Sequence, residues 1–546
     1  MEQTQQLNDR RVPGAPIMEY ETTLEDLAET PSRSPSTFQS VLFTNPEDGA
    51  GQETAASPDF FRDLNLDQVF DGITVSKVDY NLKPLFYTRL RDIDAIRYRH
   101  EVQQDLEDRA LLQSIRSFAR KMVDMREYLT TAGKLHYKHQ KERWFLDAVG
   151  IYGAGIVSFA QELSPIEIKS RALFGFRNYL QKYVASESFK SLLATTQKLQ
   201  TDLSEIAYCV IVRSGSLTVR KYESQADYSA EIEKTFEKFK QGAVKDYKVG
   251  FNNWLEMNHI EARIMEYIVR LFPEIFGRLN GFCEKNVNYF DKTVERFDRE
   301  IQFYIAYLEY CESIERAGLQ FCYPEISDRS KEVFNSQGFD LALAYQLVGK
   351  GAPVVCNDFY LKDPERILVV SGPNQGGKTT FARAFGQLHY LASLGCRVPG
   401  KASRLYLFDE ILTHFERQEN SANLRGKLQD DVVRIHEILK SATSNSLIIM
   451  NEIFTSTTLQ DALFLSQKVI AKIIERDGVC VWVTFVDELA SFSKEVVSMV
   501  STVLPEDPTV RTFKVLRRPA AGLSYALSLA EKNQLTYEQL KERIKV

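Results

Sequence analysis

Residues 371–380 read Ser-Gly-Pro-Asn-Gln-Gly-Gly-Lys-Thr-Thr, and no other stretch restricts the fold of this chain as tightly. Gly372, Gly377, Lys378 and Thr379 complete the G-x-x-x-x-G-K-S/T spacing of a phosphate-binding loop. The flanks are those the chemistry requires. Ile367-Leu368-Val369-Val370 predicts a buried strand before the loop, and Phe381-Ala382-Arg383-Ala384-Phe385 predicts a helix after it. Glycines let backbone N–H groups close around a polyphosphate, and the helix N-terminus adds partial positive charge. On this reading Gly372, Pro373, Asn374, Gln375, Gly376, Gly377 and Thr380 surround the phosphates. Lys378 reaches the β- and γ-phosphates, and the Thr379 hydroxyl ligates Mg²⁺. The expected ligand is ATP or GTP.

A chain of 546 residues exceeds what one hydrophobic core holds, so several domains are expected. No apolar run approaches the roughly 18 residues needed to span a bilayer. Met1-Glu2-Gln3-Thr4-Gln5-Gln6 lacks the basic start and apolar stretch of a signal peptide. The seven cysteines are scattered without a C-x-x-C pair, which fits reduced thiols and supports neither disulfides nor zinc. Together these features predict a cytoplasmic protein with no membrane partner. The net charge of −6 conceals a split. Residues 1–60 carry 11 acids against 3 arginines, which leaves +2 on the remaining 486 residues. A near-neutral body can carry a basic face, so charge alone decides nothing about nucleic acid.

Residues 1–60 hold six of the 17 prolines and no lysine, and read as a disordered, acidic N-terminal tail. From 61 to 326 the pattern is helical, and proline is absent from 85–164, 166–272 and 274–323. The clearest helix is 289–315, where Phe290, Val294, Phe297, Ile301, Tyr304, Leu308 and Cys311 form one apolar stripe. Within the helical region, Tyr208–Val212 and Leu217–Val219 around Ser214-Gly215-Ser216 predict an inserted β-hairpin. After 327, short apolar strands alternate with helices as in an α/β sheet. Strands are predicted at 367–371, 405–408, 446–450, 480–484 and 511–516, with closing helices at 523–532 and 536–545.

A phosphate-binding lysine needs an acid on a neighbouring strand, and Ser446-Leu447-Ile448-Ile449-Met450-Asn451-Glu452 has the expected form. Glu452 is placed to orient and deprotonate an attacking water. Asn451 stands where such sites usually carry an aspartate for Mg²⁺, and it is a weaker, uncharged ligand that acts directly or through water.

At this point the sequence resembles the MutS family of DNA mismatch-repair ATPases. Ser371 to Thr380 looks like the family's G-P-N-x-G-G-K-S/T loop, with Pro373-Asn374 as its distinguishing pair. Cys356-Asn357-Asp358 and Arg366 are similar to its lead-in, and Gly395 to Ala402 resembles its G-x-x-V-P-A segment. Leu407-Phe408-Asp409-Glu410-Ile411-Leu412-Thr413 looks like its D-x-I-F-T turn, and Ala442-Thr443 through Glu452 matches its last strand apart from Asn451. Leu90-Arg91-Asp92 with Ile96 to Arg99, and Phe321 to Ile326, resemble the two ends of the family's helical core. The resemblance implies a MutS-type α plus α/β multidomain fold. A helical core/lever region at 61–326, clamp-like and with a β insertion, precedes an ABC-like P-loop ATPase domain at 327–546. It further implies ATP and Mg²⁺ as cofactors, a homodimer through the ATPase domains, DNA as a partner, and repair or recombination proteins as further partners.

The departures qualify this. The family's trans-acting signature S-G-x-S-T-F falls on Asn423-Leu424-Arg425-Gly426-Lys427-Leu428, which leaves Asn423, Gly426 and Lys427 as its weak counterparts. The switch histidine falls at Phe485, which cannot hydrogen-bond a γ-phosphate. No Phe-x-Glu motif occurs in residues 1–100, so a short form without the mismatch-wedging domain is expected. Cations available for DNA phosphates are Arg213, Arg220 and Lys221 on the hairpin, and Lys234, Lys238, Lys240, Lys245 and Lys248 beyond it. Interspersed acids such as Glu231 and Glu237 favour a solvated mixed-charge helix over a DNA contact. Arg511, Lys514, Arg517 and Arg518 form a second basic cluster inside the ATPase part, suited to a dimer contact. His389, His414 and His436 lack metal-ligand spacing, and Trp144, Trp254 and Trp482 read as core or interface residues. Two functions remain open: a DNA-binding MutS-like ATPase, and a nucleotide-gated structural or protein-interaction dimer with little turnover.

Overall fold

The computed structural model describes residues 38–44, 56–224, 231, 234–235, 257–416, 426–504, 506–507, 509–520, 530 and 533–544. Lys238, Lys240, Lys245, Lys248, Trp254, Asn423, most of the helix expected at 523–532, and tail residues 1–37 and 45–55 lie outside the described residues. In chain order the helices used below are α1 (Leu66–Thr74), α2 (Ile93–Asp105), α3 (Arg109–Lys134), α4 (Lys138–Leu163), α5 (Arg171–Ala185), α6 (Glu187–Ser204), α7 (His259–Leu271), α8 (Pro273–Lys285) and α9 (Lys292–Glu315). They continue with α10 (Leu341–Gly349), α11 (Lys378–Ser393), α12 (Lys427–Ser441), α13 (Leu459–Glu475) and α14 (Tyr537–Arg543). The strands are β1 (Tyr208–Arg213), β2 (Ser216–Lys221), β3 (Glu325–Ser327), β4 (Val333–Gly338), β5 (Asn357–Leu361) and β6 (Ile367–Ser371). They continue with β7 (Ala402–Tyr406), β8 (Ile411–His414), β9 (Leu447–Asn451), β10 (Val479–Val483), β11 (Val496–Val503) and β12 (Arg511–Arg517).

Two compact units emerge, each discontinuous in sequence. One comprises residues 1–38, 110–167 and 175–289; the other comprises 39–109, 168–174 and 290–546. The division crosses the boundaries expected at 60 and 326, because residues 39–109 and 290–326 belong with the sheet.

The helical unit is built on α3, α4, α6, α7 and α8. Leu146, Val149, Leu199, Ile268, Phe276, Leu279 and Phe282 form its core, and Phe118 stacks on Phe159 at 4.5 Å. The expected hairpin is present: β1 and β2 pair antiparallel from Tyr208↔Lys221 to Arg213↔Ser216, with Gly215 at φ +77° in the turn. Side chains alternate across a strand, so this register divides the hairpin cations. Arg213 and Arg220 share one face, and Lys221 lies on the other, with its ammonium 5.0 Å from the Phe272 ring.

The second unit carries a six-stranded sheet in the order β8-β9-β10-β6-β11-β12, parallel except for β11–β12. Its central strands are apolar on both faces, which is why they read as continuous hydrophobic runs. Ile367, Val369, Ile448, Met450, Cys480 and Trp482 face a core completed by Ala462, Val469, Ile470 and Ile473 of α13. A second sheet, β3-β7-β4-β5, lies in the same unit. The strands expected at 367–371, 446–450, 480–484 and 511–516 correspond to β6, β9, β10 and β12. The 405–408 strand needs correction. The strand there is β7, at Ala402–Tyr406, and it belongs to the second sheet; the main-sheet neighbour of β9 is β8. Asp409 makes the break between them, accepting from Ser446 Oγ at 3.0 Å while its amide donates to Asn445 O. Strand β11 lies outside the predicted set because Ser498, Ser501 and Thr502 interrupt its apolar run.

Helix α11, which follows the phosphate loop, has thirteen of its sixteen residues buried, so a sheet on one side cannot cover it. Segments distant in sequence supply the rest. Arg383 donates to Asp63 O, Gln387 bridges Leu64 O, Asp340 and the Leu341 amide, and Tyr390 OH donates to Phe86 O. Phe61 packs against Phe70 and against Tyr390 at 5.0 Å, and Phe86 stacks on Phe303 at 4.4 Å. The tail expectation is also corrected in part. Ser40, Val41, Leu42 and Phe43 are buried in this unit, because their run of apolar side chains finds a groove between α2 and α9. Among the described residues no helix is long and apolar enough to cross a membrane.

Phe61 is fully buried, so Phe61→Ala is expected to cost about 3–5 kcal/mol, measured by denaturant unfolding of the full chain. A loss under 1 kcal/mol would mean the aromatic cluster does not hold α11.

Candidate functional site

The loop between β6 and α11 is shaped by what lies against it. Gly372 sits at φ +113°, and a Cβ there would fall 2.8 Å from Ser501 O and 2.8 Å from Ser501 Oγ on β11. Gly377 takes φ +90° and turns the chain directly into α11. At Gly372 a left-handed backbone and a close neighbour both call for glycine, whereas at Gly377 the left-handed backbone alone does, its nearest neighbour being Phe513 O at an ordinary 3.6 Å.

Lys378 is the first residue of α11, with its side chain 4% exposed. Its ammonium donates to Gly372 O at 3.0 Å, Pro373 O at 3.2 Å and Asn374 Oδ1 at 3.2 Å. Glu452 Oε1 lies 3.8 Å away. Burial pushes the Lys378 ammonium below its usual value; Glu452 pulls it back up, Arg511 pushes it further down, and Asp487 opposes that.

Sheet order brings the second carrier strand in. β9 is two places from β6, across β10, and the Glu452 amide donates to Val483 O at the end of β10. Asn451 Oδ1 accepts from Thr379 Oγ1 at 2.8 Å. Glu452 and Phe454 both adopt left-handed backbone, at φ +52° and +59°. Such conformations cost on the order of 1–3 kcal/mol for non-glycine residues and concentrate at functional sites. The residues predicted from sequence thus converge: Lys378, Thr379, Asn451 and Glu452 share one loop mouth.

The donor set suits Mg²⁺. Adjacent vertices of an octahedron with ligands at about 2.1 Å stand about 3.0 Å apart. The Thr379 and Asn451 oxygens, 2.8 Å apart, match two such vertices. Neither is charged, so a divalent ion placed there would need most of its compensating charge from an anionic ligand such as phosphate.

The trans-signature residues are placed only in part. Gly426 caps α12, and Lys427 begins it with its ammonium on Glu416. Phe485 is 45% exposed just beyond β10. Of the histidines, His389 is buried with Nδ1 2.8 Å from Phe385 O, and His414 Nε2 lies 3.2 Å from Asp431. Among the described residues no His, Cys, Asp and Glu group could hold a metal.

Two loop-shaping residues were not identified as such from sequence. Arg511, expected to serve a dimer contact, donates from Nε to Asn374 O at 3.1 Å and so supports the loop. Ser501 lies beneath Gly372, fully buried. Neither has a local signal, because β11 reaches the loop by pairing with β6 and β12 by pairing with β11. A cleft of about 360 Å³ beside β5 and β12 is lined by Asn357, Tyr360, Met499, Lys514 and Arg517.

Residues 368–544 match the family model MutS domain V. The DNA mismatch repair protein MutS of Halalkalibacterium halodurans is 30% identical over 182 residues, covering 32% of this chain and 21% of that protein. Endonuclease MutS2 of Gemmatimonas aurantiaca is 29% identical over 195 residues, 35% of this chain and 23% of that protein. DNA mismatch repair protein MSH3 of Eremothecium gossypii is 29% identical over 136 residues, 25% of this chain and 13% of that protein. The chain spans less than a quarter of the length of these relatives.

Gly372→Ala is expected to lose about 1–3 kcal/mol, through left-handed strain and contact with Ser501 O. Gly349→Ala, with nothing within 4 Å of its Cβ, is the control and is expected to be neutral or slightly stabilising by urea unfolding. Equal effects of the two would show that the loop is not tightly packed.

Proposed function

We propose, on the premise that the chain belongs to the MutS family through its domain V, that it binds and hydrolyses ATP. Its substrate structure is DNA of non-standard form, in mismatch repair or a related process. The observation that carries this reading is the convergence of Lys378, Thr379, Asn451 and Glu452 on one glycine loop.

The buried Lys378 ammonium is held by three neutral loop oxygens and one distant carboxylate. Phosphate oxygens would replace those acceptors with anionic ones, which favours the charged lysine more strongly. The N-terminus of α11 adds its dipole in the same direction. Thr379 and Asn451 would hold Mg²⁺, which when bound neutralises charge developing on the phosphate oxygens. Glu452 lies close enough to Lys378 to orient a water on the γ-phosphate and accept its proton. Two chains would meet through their ATPase domains, 327–546, with the partner's segment around Gly426 and Lys427 closing over the nucleotide. The helical region, 61–326, would act as the lever. A DNA partner would meet Arg213 and Arg220, the pair that shares a hairpin face. By linkage, whatever prefers one closure state changes ATP affinity by the same factor.

A second reading is a nucleotide-gated structural dimer with slow turnover. The exposed, apolar Phe485 and the uncharged Asn451 favour it. ATP turnover measured with and without duplex, mismatched and branched DNA separates the two. In the first reading DNA changes the rate and its affinity falls with salt; in the second, dimerisation follows ATP and DNA does nothing.

Lys378→Ala is expected to abolish ATP binding in equilibrium dialysis without lowering the melting temperature. Glu452→Gln is expected to keep ATP binding and lose hydrolysis by about 10²-fold or more; undiminished turnover would move the base role to another residue. Asn451→Asp is expected to lower the Mg²⁺ concentration for half-maximal turnover by about threefold or more, read by magnesium titration.

A further inference from the structure

Residues 39–43 are held in a manner unusual for a core segment. They belong to no helix or strand, yet Ser40 is 5% exposed, Val41 and Leu42 are 0% exposed and Phe43 is 5% exposed. Buried backbone groups normally find partners in a ladder or a helix. Here side chains from two helices take four successive carbonyls. Arg296 donates to Gln39 O at 3.0 Å, and Tyr98 OH to Ser40 O at 2.8 Å. Tyr304 OH donates to Val41 O at 2.8 Å, and Arg99 Nε to Leu42 O at 3.0 Å.

The amides of Val41, Leu42 and Phe43 are taken as well. The Val41 amide and the Ser40 hydroxyl donate to the same Glu300 oxygen, at 2.8 and 2.7 Å. Ser40 Oγ in turn accepts from the Leu42 and Phe43 amides, both at 3.0 Å. Glu300 is itself buried. Arg296, Glu300 and Tyr304 are spaced four apart on α9 and so form one stripe, and Tyr98 and Arg99 lie on α2. The Arg99 guanidinium stands 5.1 Å from the Phe43 ring. Side chains reading the backbone, with apolar residues in pockets, is the physics of peptide recognition.

We propose that Tyr98, Arg99, Arg296, Glu300 and Tyr304 form a peptide-binding groove whose resident ligand is the chain's own Gln39–Phe43. It reads a serine-apolar-apolar-aromatic segment bent over its own serine hydroxyl, and it accepts that segment as a separate peptide once its own is displaced. Serine is selected because its hydroxyl must donate to a carboxylate and accept from two amides at once, which alanine cannot do. The groove does not depend on the nucleotide reading.

The test uses the full chain carrying Leu42→Asp and a fluorescein-labelled peptide of residues 36–46, followed by anisotropy. Saturable binding is expected, at least about tenfold tighter than to the unsubstituted chain, whose groove is filled. A peptide with Ser40→Ala is expected to bind at least about tenfold more weakly. No saturable binding to a variant that keeps its melting transition overturns the proposal, as does equal binding of the alanine peptide. Should Leu42→Asp fail to fold, amide exchange on the unsubstituted chain decides. Exchange at 41–43 by local opening, faster than in α9, supports a separable ligand; exchange only together with α9 makes the segment ordinary core.

Discussion

The burial of helix α11 on nearly all sides is the constraint on which the sheet-bearing unit depends. A helix buried on nearly all sides needs covering on more than one face, and its N-terminal residue here is a lysine that must remain at the loop mouth. The sheet covers one face, where Gly386 lets the helix approach Ile449 on β9. Phe61, Leu64, Phe70 and Phe86 cover another, supported by α9 through Phe303. That requirement explains why residues more than 300 positions before the loop belong to the same compact unit. The site's precision is thus a packing property before it is a chemical one.

Within that frame the electrostatics are economical. One buried ammonium faces one carboxylate, two neutral oxygens lie 2.8 Å apart beside it, and Arg511 steadies the loop from outside. Charge is missing where a divalent ion would be held most strongly, and an aromatic ring stands where a hydrogen-bonding switch is found in the family resembled. On the proposed reading such a site would keep the features that capture phosphate and weaken those that hasten its release. The left-handed Glu452 retains the strained geometry typical of a working position, which is why turnover, slow or fast, is the property that divides the two readings.

The docked segment at 39–43 shows the opposite arrangement, a stretch with no secondary structure whose four carbonyls at 39–42 and three amides at 41–43 are taken by side chains. Its composition around Val41, Leu42 and Phe43 could have marked it, but it sits in a region otherwise rich in proline and acid. The average over a window conceals a four-residue exception. The hairpin illustrates a similar point. Arg213, Arg220 and Lys221 are near neighbours in sequence or register, yet the strand period of two sends Lys221 to the face that packs on α7.

The sequence by itself determined the elements whose signals are local. Glycine spacing and the flanking apolar runs specified strand, loop and helix around Lys378, and the run ending at Asn451-Glu452 specified a second carrier strand. Two short apolar runs flanking Ser214-Gly215-Ser216 specified the hairpin, and a three-four stripe specified α9. Only the tertiary structure decided which strands lie side by side. It moved Ala402–Tyr406 into a second sheet and put Ile411–His414 beside β9, and it set β9 across β10 from β6 so that Thr379 meets Asn451. It also brought Arg511 and Ser501 to the loop and Ser40 to Glu300. The reason is physical: backbone conformation and periodicity are encoded within a few residues, whereas strand order and groove occupancy follow from complementarity between surfaces hundreds of residues apart.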